Sequence, residues 1–419
     1  MKAFNKYYQK KWTDRLAILK TGMLPETDCA TLKKMARTPT IGDTMIENYV
    51  TDFTIPEGLA LNYVVNKKEY VIPMVVEEPS VIAASCNAAG IVKKAGGFHA
   101  EVTSRQMIGQ VIIENVRDVV SLSGSLQSHA EQLVAVANAA HPSLQKRGGG
   151  ARNVRVRALD NDLVSLDLIV DTLEAMGANM MNTMLEAVAT YIRQQFDQDV
   201  LMSILSNYTT QCLVTATCCV PVELLTKRQV DGAQAAVKIA MASRVAQLDP
   251  YRAVTHNKGI MNGVDAVVIA TGNDWRAIEG AAHAYASRDG HYRGLSTWEV
   301  VDNELCGRIT IPMPVGTVGG SIKIVPLVKI NHELLRVNDA RELMTVITTV
   351  GLGQNLAALY ALVTEGIQRG HMRLQLKSLA RSVGASDEEI PAVVARMTAQ
   401  NTRDSAGAQA ALKWVRAHA

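Results

Sequence analysis

The sequence predicts a multidomain chain of mixed α/β and α+β architecture: a large unit interrupted by a small inserted α+β unit and followed by a helical tail. Three observations carry that reading. A length of 419 residues exceeds what a single hydrophobic core usually organises, so two or three domains are expected. Near residue 105 the pattern changes to β-branched runs alternating with helical stretches, in the order βαββαβ. Beyond residue 370 the segments read as helical. The expected bounds are 1–104 and 218–370 for the two parts of the large unit, 105–217 for the insert and 371–419 for the tail.

Composition narrows the class. Apolar residues make up 48% and charged residues 20%, as in ordinary soluble globular proteins. A net charge of +3 gives no reason to expect nucleic acid or an anionic membrane as partner, so any anion site must be local. The N-terminus is polar, and no run of about 18 apolar residues stands out, so neither a signal peptide nor a membrane span is expected. Cys29, Cys86, Cys212, Cys218, Cys219 and Cys306 show no metal-ligand spacing. Vicinal Cys218 and Cys219 are an unlikely disulfide, and a reduced cytoplasm fits best.

Taken in order, residues 1 to about 40 read as charged helices (Tyr8–Thr21, Asp28–Ala36) suited to a packing or dimer arm. Tyr70–Val76 is a strand by its β-branched content, and Val81–Lys94 is a small-residue helix. Between them stands Glu77-Glu78-Pro79-Ser80; adjacent carboxylates at a strand end point to opposite sides, so only one faces a given cleft. In the insert, Ile108–Ile113 is a strand and Val119–Ala140 a helix. Val154–Arg157 and Leu163–Val170 form a hairpin about Asp160-Asn161-Asp162. A helix over Glu174–Phe196 follows, and the strand-like runs Leu201–Leu205 and Cys212–Cys218 close the unit.

Leu224–Leu248 reads as a long amphipathic helix. In the stretch Asp249–Ala286, the run Ala266–Ala270 reads as a buried strand, and Asn273 or Asp274 caps a helix over Trp275–Ala286. Lys258 then lies in a polar turn, at the other end of that strand from Asp274. Composition alone leaves Lys258 open between a structural and a catalytic role. Val315–Gly320 is a Gly-rich loop, and Arg341–Arg369 a helix lightly broken at Gly351 and Gly353. Met372–Ser382 and Asp387–Gln400 make the tail. No G-x-G-x-x-G follows a strand, so the insert is not a Rossmann unit.

Four motifs in this order resemble one family: Glu77-Glu78-Pro79-Ser80, Glu174-Ala175-Met176-Gly177-Ala178-Asn179, the stretch Asp249–Ala286, and Arg369-Gly370-His371-Met372. The chain is similar to 3-hydroxy-3-methylglutaryl-coenzyme A reductase of the soluble bacterial type, class II, from about Tyr7 to the C-terminal region. The resemblance implies a large substrate domain, an inserted ferredoxin-like, non-Rossmann cofactor domain and a C-terminal helical flap. It implies a four-electron reduction of 3-hydroxy-3-methylglutaryl-coenzyme A to mevalonate and coenzyme A by two reduced nicotinamide cofactors. It assigns Glu78, Lys258, Asp274 and His371 to catalysis, and Ser80, Arg252, Asn262 and Gln354 to the substrate. Glu174, Met176, Gly177, Ala178, Asn179 and Asn207 match cofactor contacts; Glu174 stands where the family more often has aspartate, and Thr51 where it usually has glycine.

On chemistry, each hydride addition places negative charge on a carbonyl oxygen and calls for a cation, the role expected of Lys258. Glu78 is expected to donate a proton from a buried cluster with Lys258 and Asp274, and His371 to protonate the departing thiolate. His256, beside Lys258 but without spaced ligand partners, reads as structural, and no metal is expected. NADPH is expected over NADH, because the segment about His141, Ser143, Lys146 and Arg147 carries no acid to repel a 2′-phosphate. The family builds its active site between subunits, so a homo-oligomer built of dimers is expected; its eukaryotic members carry a membrane anchor, and none is expected here. Two other readings stay open: a coenzyme A-dependent acyl transferase or thioesterase using Cys86 or a Ser–His pair, and a non-catalytic coenzyme A-binding protein.

Overall fold

The computed structural model describes residues 4–21, 23–227, 230–364 and 376–418. In chain order its strands are β1 (Glu57–Val65), β2 (Lys68–Val75), β3 (His99–Val102), β4 (Met107–Glu114) and β5 (Gly150–Ala158). They continue with β6 (Val164–Asp171), β7 (Asp199–Ser206), β8 (Leu213–Pro221), β9 (Ser296–Val301) and β10 (Glu304–Pro312). Local turns pin two hairpins. Asn66 and Lys67, between β1 and β2, and Asp302 and Asn303, between β9 and β10, all take positive φ, as tight two-residue hairpin turns require.

The strands form three antiparallel sheets: the β1–β2 ribbon, β3-β8-β10-β9, and β5-β6-β4-β7. The last is the expected βαββαβ unit. One face of its sheet is covered by helices; a Cβ on Gly109 of β4 would lie 2.4 Å from Leu185 of the Ala178–Phe196 helix. Three details differ from the sequence reading, the first being that the helix expected over Glu174–Phe196 starts only at Ala178, after the Gly177 turn. The run expected to close this unit, Cys212–Cys218, lies from Leu213 onward in β8, which pairs with β3 and β10 of the other sheet. The helix expected over Val119–Ala140 is two helices, Val119–Ser128 and Ala130–Ala140, parted at His129.

The main correction concerns Ala266–Ala270. It is the last part of one helix, Pro250–Ala270, in which Lys258 is the ninth residue. Asp249 caps it by accepting from the backbone N–H groups of Tyr251 and Arg252, and Pro250 occupies its first turn. The β-branched residues misled because this helix is buried on most of its circumference. A short apolar run inside such a helix looks the same as a buried strand. The helix packs on Ala340–Val363, where Gly351 lets Val264 and Ile260 approach: a Cβ there would lie 3.0 and 3.1 Å from them. Gly353 likewise leaves room for the Tyr63 hydroxyl. These glycines allow close packing and do not break the helix. Ala340–Val363 is also long and apolar enough to cross a membrane by length and composition, but 78% of its apolar stretch is buried inside the fold.

The long helix expected from Leu224 runs over Gly232–Leu248. The tail residues Leu376, Ile390, Val393, Met397, Leu412 and Val415 form a small core of their own, apart from the main one. Cys219 and Cys306, opposite one another on β8 and β10 with Cα atoms 4.0 Å apart, are joined as a disulfide, contrary to the all-reduced expectation. They stand 87 positions apart in the sequence, a pairing that only strand register brings about.

Candidate active site

Lys258 and Asn262 stand four residues apart on the Pro250–Ala270 helix and so share a face. Both reach Glu78 Oε2, the lysine Nζ at 2.9 Å and the Asn262 Nδ2 at 3.4 Å. Glu78 comes from the turn after β2, where its neighbour Glu77 faces solvent, so the adjacent carboxylates do divide between two sides. Ser80, with φ 75°, turns that segment into the Val81–Lys94 helix from the left-handed region. The cluster is not buried as expected: the side chains are 37% exposed for Glu78 and 61% for Lys258. An ion pair this open adds little to stability, so its arrangement is of interest for chemistry.

Arg252 is half-buried in the first turn of the same helix. Gln354, on the neighbouring helix, is buried against Gly263, and its Oε1 has no hydrogen-bond partner among the described residues. An unpaired buried acceptor is unusual, and a substrate hydroxyl is one donor that would satisfy it. Beneath lies a buried polar knot. His256 Nε2 meets the Ser296 hydroxyl at 2.7 Å, and Ser296 Oγ and Trp298 Nε1 both donate to Asn355 Oδ1 at 2.8 Å. Burial, with Arg252 nearby, pushes the His256 pKa down to about 3, so it is a neutral structural imidazole, as read from the sequence.

Asp274 lies elsewhere. It caps Trp275–Ala286, its Oδ1 accepting from the N–H groups of Arg276 and Ala277, as one of the two candidate caps was expected to do. It follows the C-terminal end of the helix that carries Lys258, about 18 Å of helix away at 1.5 Å per residue. The expected contact between Asp274 and Lys258 therefore does not form within one chain.

The segment Glu174–Asn179 lies against Gly316, to which Asn273, the residue before Asp274, is hydrogen-bonded. Gly177, with φ 97°, caps the Ala178–Phe196 helix without a side-chain partner; a Cβ there would also strike Thr172 at 2.4 Å. The first N–H groups of that helix are open donors of the kind a diphosphate accepts, so these residues fit a dinucleotide. Glu174 Oε2 accepts from Ala340 N at 2.6 Å and Thr317 Oγ1 at 3.1 Å, tying the segment to the start of the Ala340–Val363 helix. Asn207 is exposed just past β7. His141 joins Ala130–Ala140 to the short helix Pro142–Lys146, with the Ser143 hydroxyl 3.4 Å from its Nδ1. His371 lies outside the described residues.

Sequence reasoning missed Arg105, Gly316 and, as more than a cap, Asn273, which connect these parts. Position gave a signal only for Asn273, beside Asp274; nothing near Arg105 pointed to a site.

The comparisons with known proteins agree with these motifs. The family model for hydroxymethylglutaryl-coenzyme A reductase matches residues 11–376. A 3-hydroxy-3-methylglutaryl-coenzyme A reductase of Archaeoglobus fulgidus is 42% identical over 358 residues, covering 84% of this chain and 81% of that protein. A solved structure of the class II 3-hydroxy-3-methylglutaryl-CoA reductase from Streptococcus pneumoniae, bound to NADPH in open conformations, is 48% identical. It superimposes with a TM-score of 0.76, covering 97% of this chain and all (100%) of that one. A second structure of the Streptococcus pneumoniae enzyme is 47% identical, with a TM-score of 0.77, and covers 98% of this chain and 99% of that one.

Proposed function

This chain belongs to the hydroxymethylglutaryl-coenzyme A reductase family, and from that premise we propose its reaction: reduction of 3-hydroxy-3-methylglutaryl-coenzyme A to mevalonate and free coenzyme A, consuming two NADPH and two protons. The observation that carries it is the Lys258–Glu78 pair at 2.9 Å, with Asn262 on the same carboxylate oxygen. The reduced nicotinamide supplies the hydrides. Lys258 stabilises the oxyanion formed at the carbonyl, and Glu78 returns a proton as the aldehyde becomes an alcohol. Ser80, Arg252, Asn262 and Gln354 hold the hydroxymethylglutaryl group, with Gln354 Oε1 as acceptor for a hydroxyl. His371 protonates the coenzyme A thiolate as it leaves.

Residues 1–104 and 213–370 make the substrate domain, 105–212 the ferredoxin-like cofactor domain and 371–419 the flap; the pairing of β8 with β3 and β10 supports placing it in the first, and the separate core of the tail supports the last. Met176, Gly177, Ala178 and Asn179 hold the cofactor, with Asn207 at its edge. His141, Ser143, Lys146 and Arg147 favour the 2′-phosphate of NADPH.

Asp274 orients Lys258 from a second copy of the chain. Its distance along the helix supports this, as do two apolar stripes left exposed on one subunit: Val237, Met241, Val245 and Leu248 on one helix, and Leu327, Ile330 and Leu334 on another. The enzyme is a homo-oligomer built of dimers, acting in the cytoplasm. The test is NADPH oxidation dependent on 3-hydroxy-3-methylglutaryl-coenzyme A, with mevalonate quantified. Two NADPH per mevalonate is expected; hydrolysis of the thioester without NADPH oxidation would favour the thioesterase reading instead.

A further inference from the structure

The backbone from Leu173 to Met176 is gripped from outside the βαββαβ unit. Arg105, in the link between β3 and β4, donates from Nε to Leu173 O at 2.8 Å and from Nη2 to Ala175 O at 3.2 Å. It is only 5% exposed, and burial lowers its pKa. Among the described residues no carboxylate forms an ion pair with it; besides the two carbonyls, its Nη1 donates to Met344 Sδ at 3.5 Å.

The second grip comes from the turn before Asp274. Asn273 makes two bonds to one residue: its Nδ2 donates to Gly316 O at 3.1 Å, and its Oδ1 accepts from Gly316 N at 2.8 Å. Gly316 in turn lies flat on the segment. A Cβ at that position would stand 2.7 Å from Met176 N and 2.8 Å from Glu174 O, both backbone atoms that cannot swing aside. Thr317 N continues the contact to Glu174 O at 2.8 Å.

We infer that Asn273 and Arg105 are positioning residues: they hold the cofactor-binding segment in fixed register with the turn that presents Asp274. This rests on reading Glu174–Asn179 as the cofactor segment. A hydride donor displaced by about 1 Å loses rate steeply, of order 10²-fold, so a rigid link between segment and turn has kinetic value beyond folding.

The test uses the full-length protein with Asn273→Ala and Gly316→Ala, singly and together. For each, NADPH binding is measured by fluorescence, thermal stability by melting, and kcat and KM for both substrates by steady-state assay. Asn273→Ala should lower kcat roughly 10- to 100-fold and raise the NADPH KM, leaving the KM of the coenzyme A thioester within about twofold. Because both substitutions loosen one contact, the double variant should lose little more than the worse single one.

Constants within about twofold of wild type in a folded Asn273→Ala protein would overturn the inference, as would losses in strict proportion to its folded fraction or a shift in thioester KM alone. If Gly316→Ala does not fold, Arg105→Lys, which keeps the charge but not the two-carbonyl fork, takes its place with the same expected pattern. Gly177→Ala separates the two readings. If it leaves NADPH binding intact, the cofactor segment itself is misassigned. If it abolishes binding while Asn273→Ala is silent, only the positioning role fails.

Discussion

The middle and the C-terminal end of the Pro250–Ala270 helix present opposite solutions to building a site. Near its middle, side chains assemble: Lys258 and Asn262, one turn apart, converge on Glu78 Oε2, and the pair stays open to water. Past its C-terminal end almost everything is backbone. Asn273 grips both polar atoms of Gly316, Gly316 abuts Met176 N, and the Gly177 turn exposes helix N–H groups. The first holds an ion pair within one chain but no aspartate. The second has the aspartate but no lysine. Both places join segments distant in the chain, the first through side chains and the second through backbone, and about 18 Å of helix keeps the two apart.

The largest effect should come from breaking the ionic end. Lys258→Ala should cut turnover at least ~10²–10³-fold with much smaller changes in substrate binding, because the oxyanion loses its cation. Near-normal turnover in steady-state assay would remove Lys258 from the chemistry. His371→Ala sharpens the division of labour beyond either end: thioester reduction should slow ~10²-fold or more, and reduction of free mevaldehyde, which expels no thiolate, far less. Equal slowing of both substrates would give His371 another task.

At the backbone end, His141→Asp should move the kcat/KM ratio from NADPH toward NADH by roughly tenfold, the scale of one charge contact to a phosphate. In the unchanged protein, a kcat/KM for NADH at or above that for NADPH would refute the 2′-phosphate reading.

Whether the two ends meet across copies is decided by mixing. Lys258→Ala and Asp274→Ala subunits, each nearly inactive, should recover about a quarter of wild-type activity after co-refolding, since half the dimers are mixed and each mixed dimer keeps one intact site. No recovery would put both residues in one chain's site.

The smallest effect concerns the support beneath Lys258. His256 is buried with its pKa depressed to about 3, so on acidification the unfolded chain takes up a proton, near pH 6.5, before the folded one does. Its contribution to stability is whole above pH ~6.5 and lost as pH falls from there toward about 3. Melting temperatures followed across that window should fall less steeply in His256→Gln than in the unchanged protein. Identical slopes would show that His256 does not carry the acid sensitivity.

What the sequence determined by itself was the identity of the chemical groups and several features set by neighbours along the chain. The βαββαβ order, the hairpin about Asp160–Asp162, the aspartate cap at residue 274 and the split of Glu77 from Glu78 all follow from local periodicity and turn chemistry. Lys258, Asn262 and Glu78 were legible as a set only through the resemblance of their motifs; that two of them share a helix face was hidden by reading Ala266–Ala270 as a strand. Tertiary structure decided the rest. An apolar run is read as helix or strand according to what surrounds it, so only the packing of Pro250–Ala270 against Ala340–Val363 settles that run as helix. Strand register brought Cys219 opposite Cys306 and moved β8 out of the inserted unit. The bonds of Arg105 to Leu173 and Ala175 and of Asn273 to Gly316 use backbone atoms, and every residue carries those alike, so residue type gives no sign of where they will be bound.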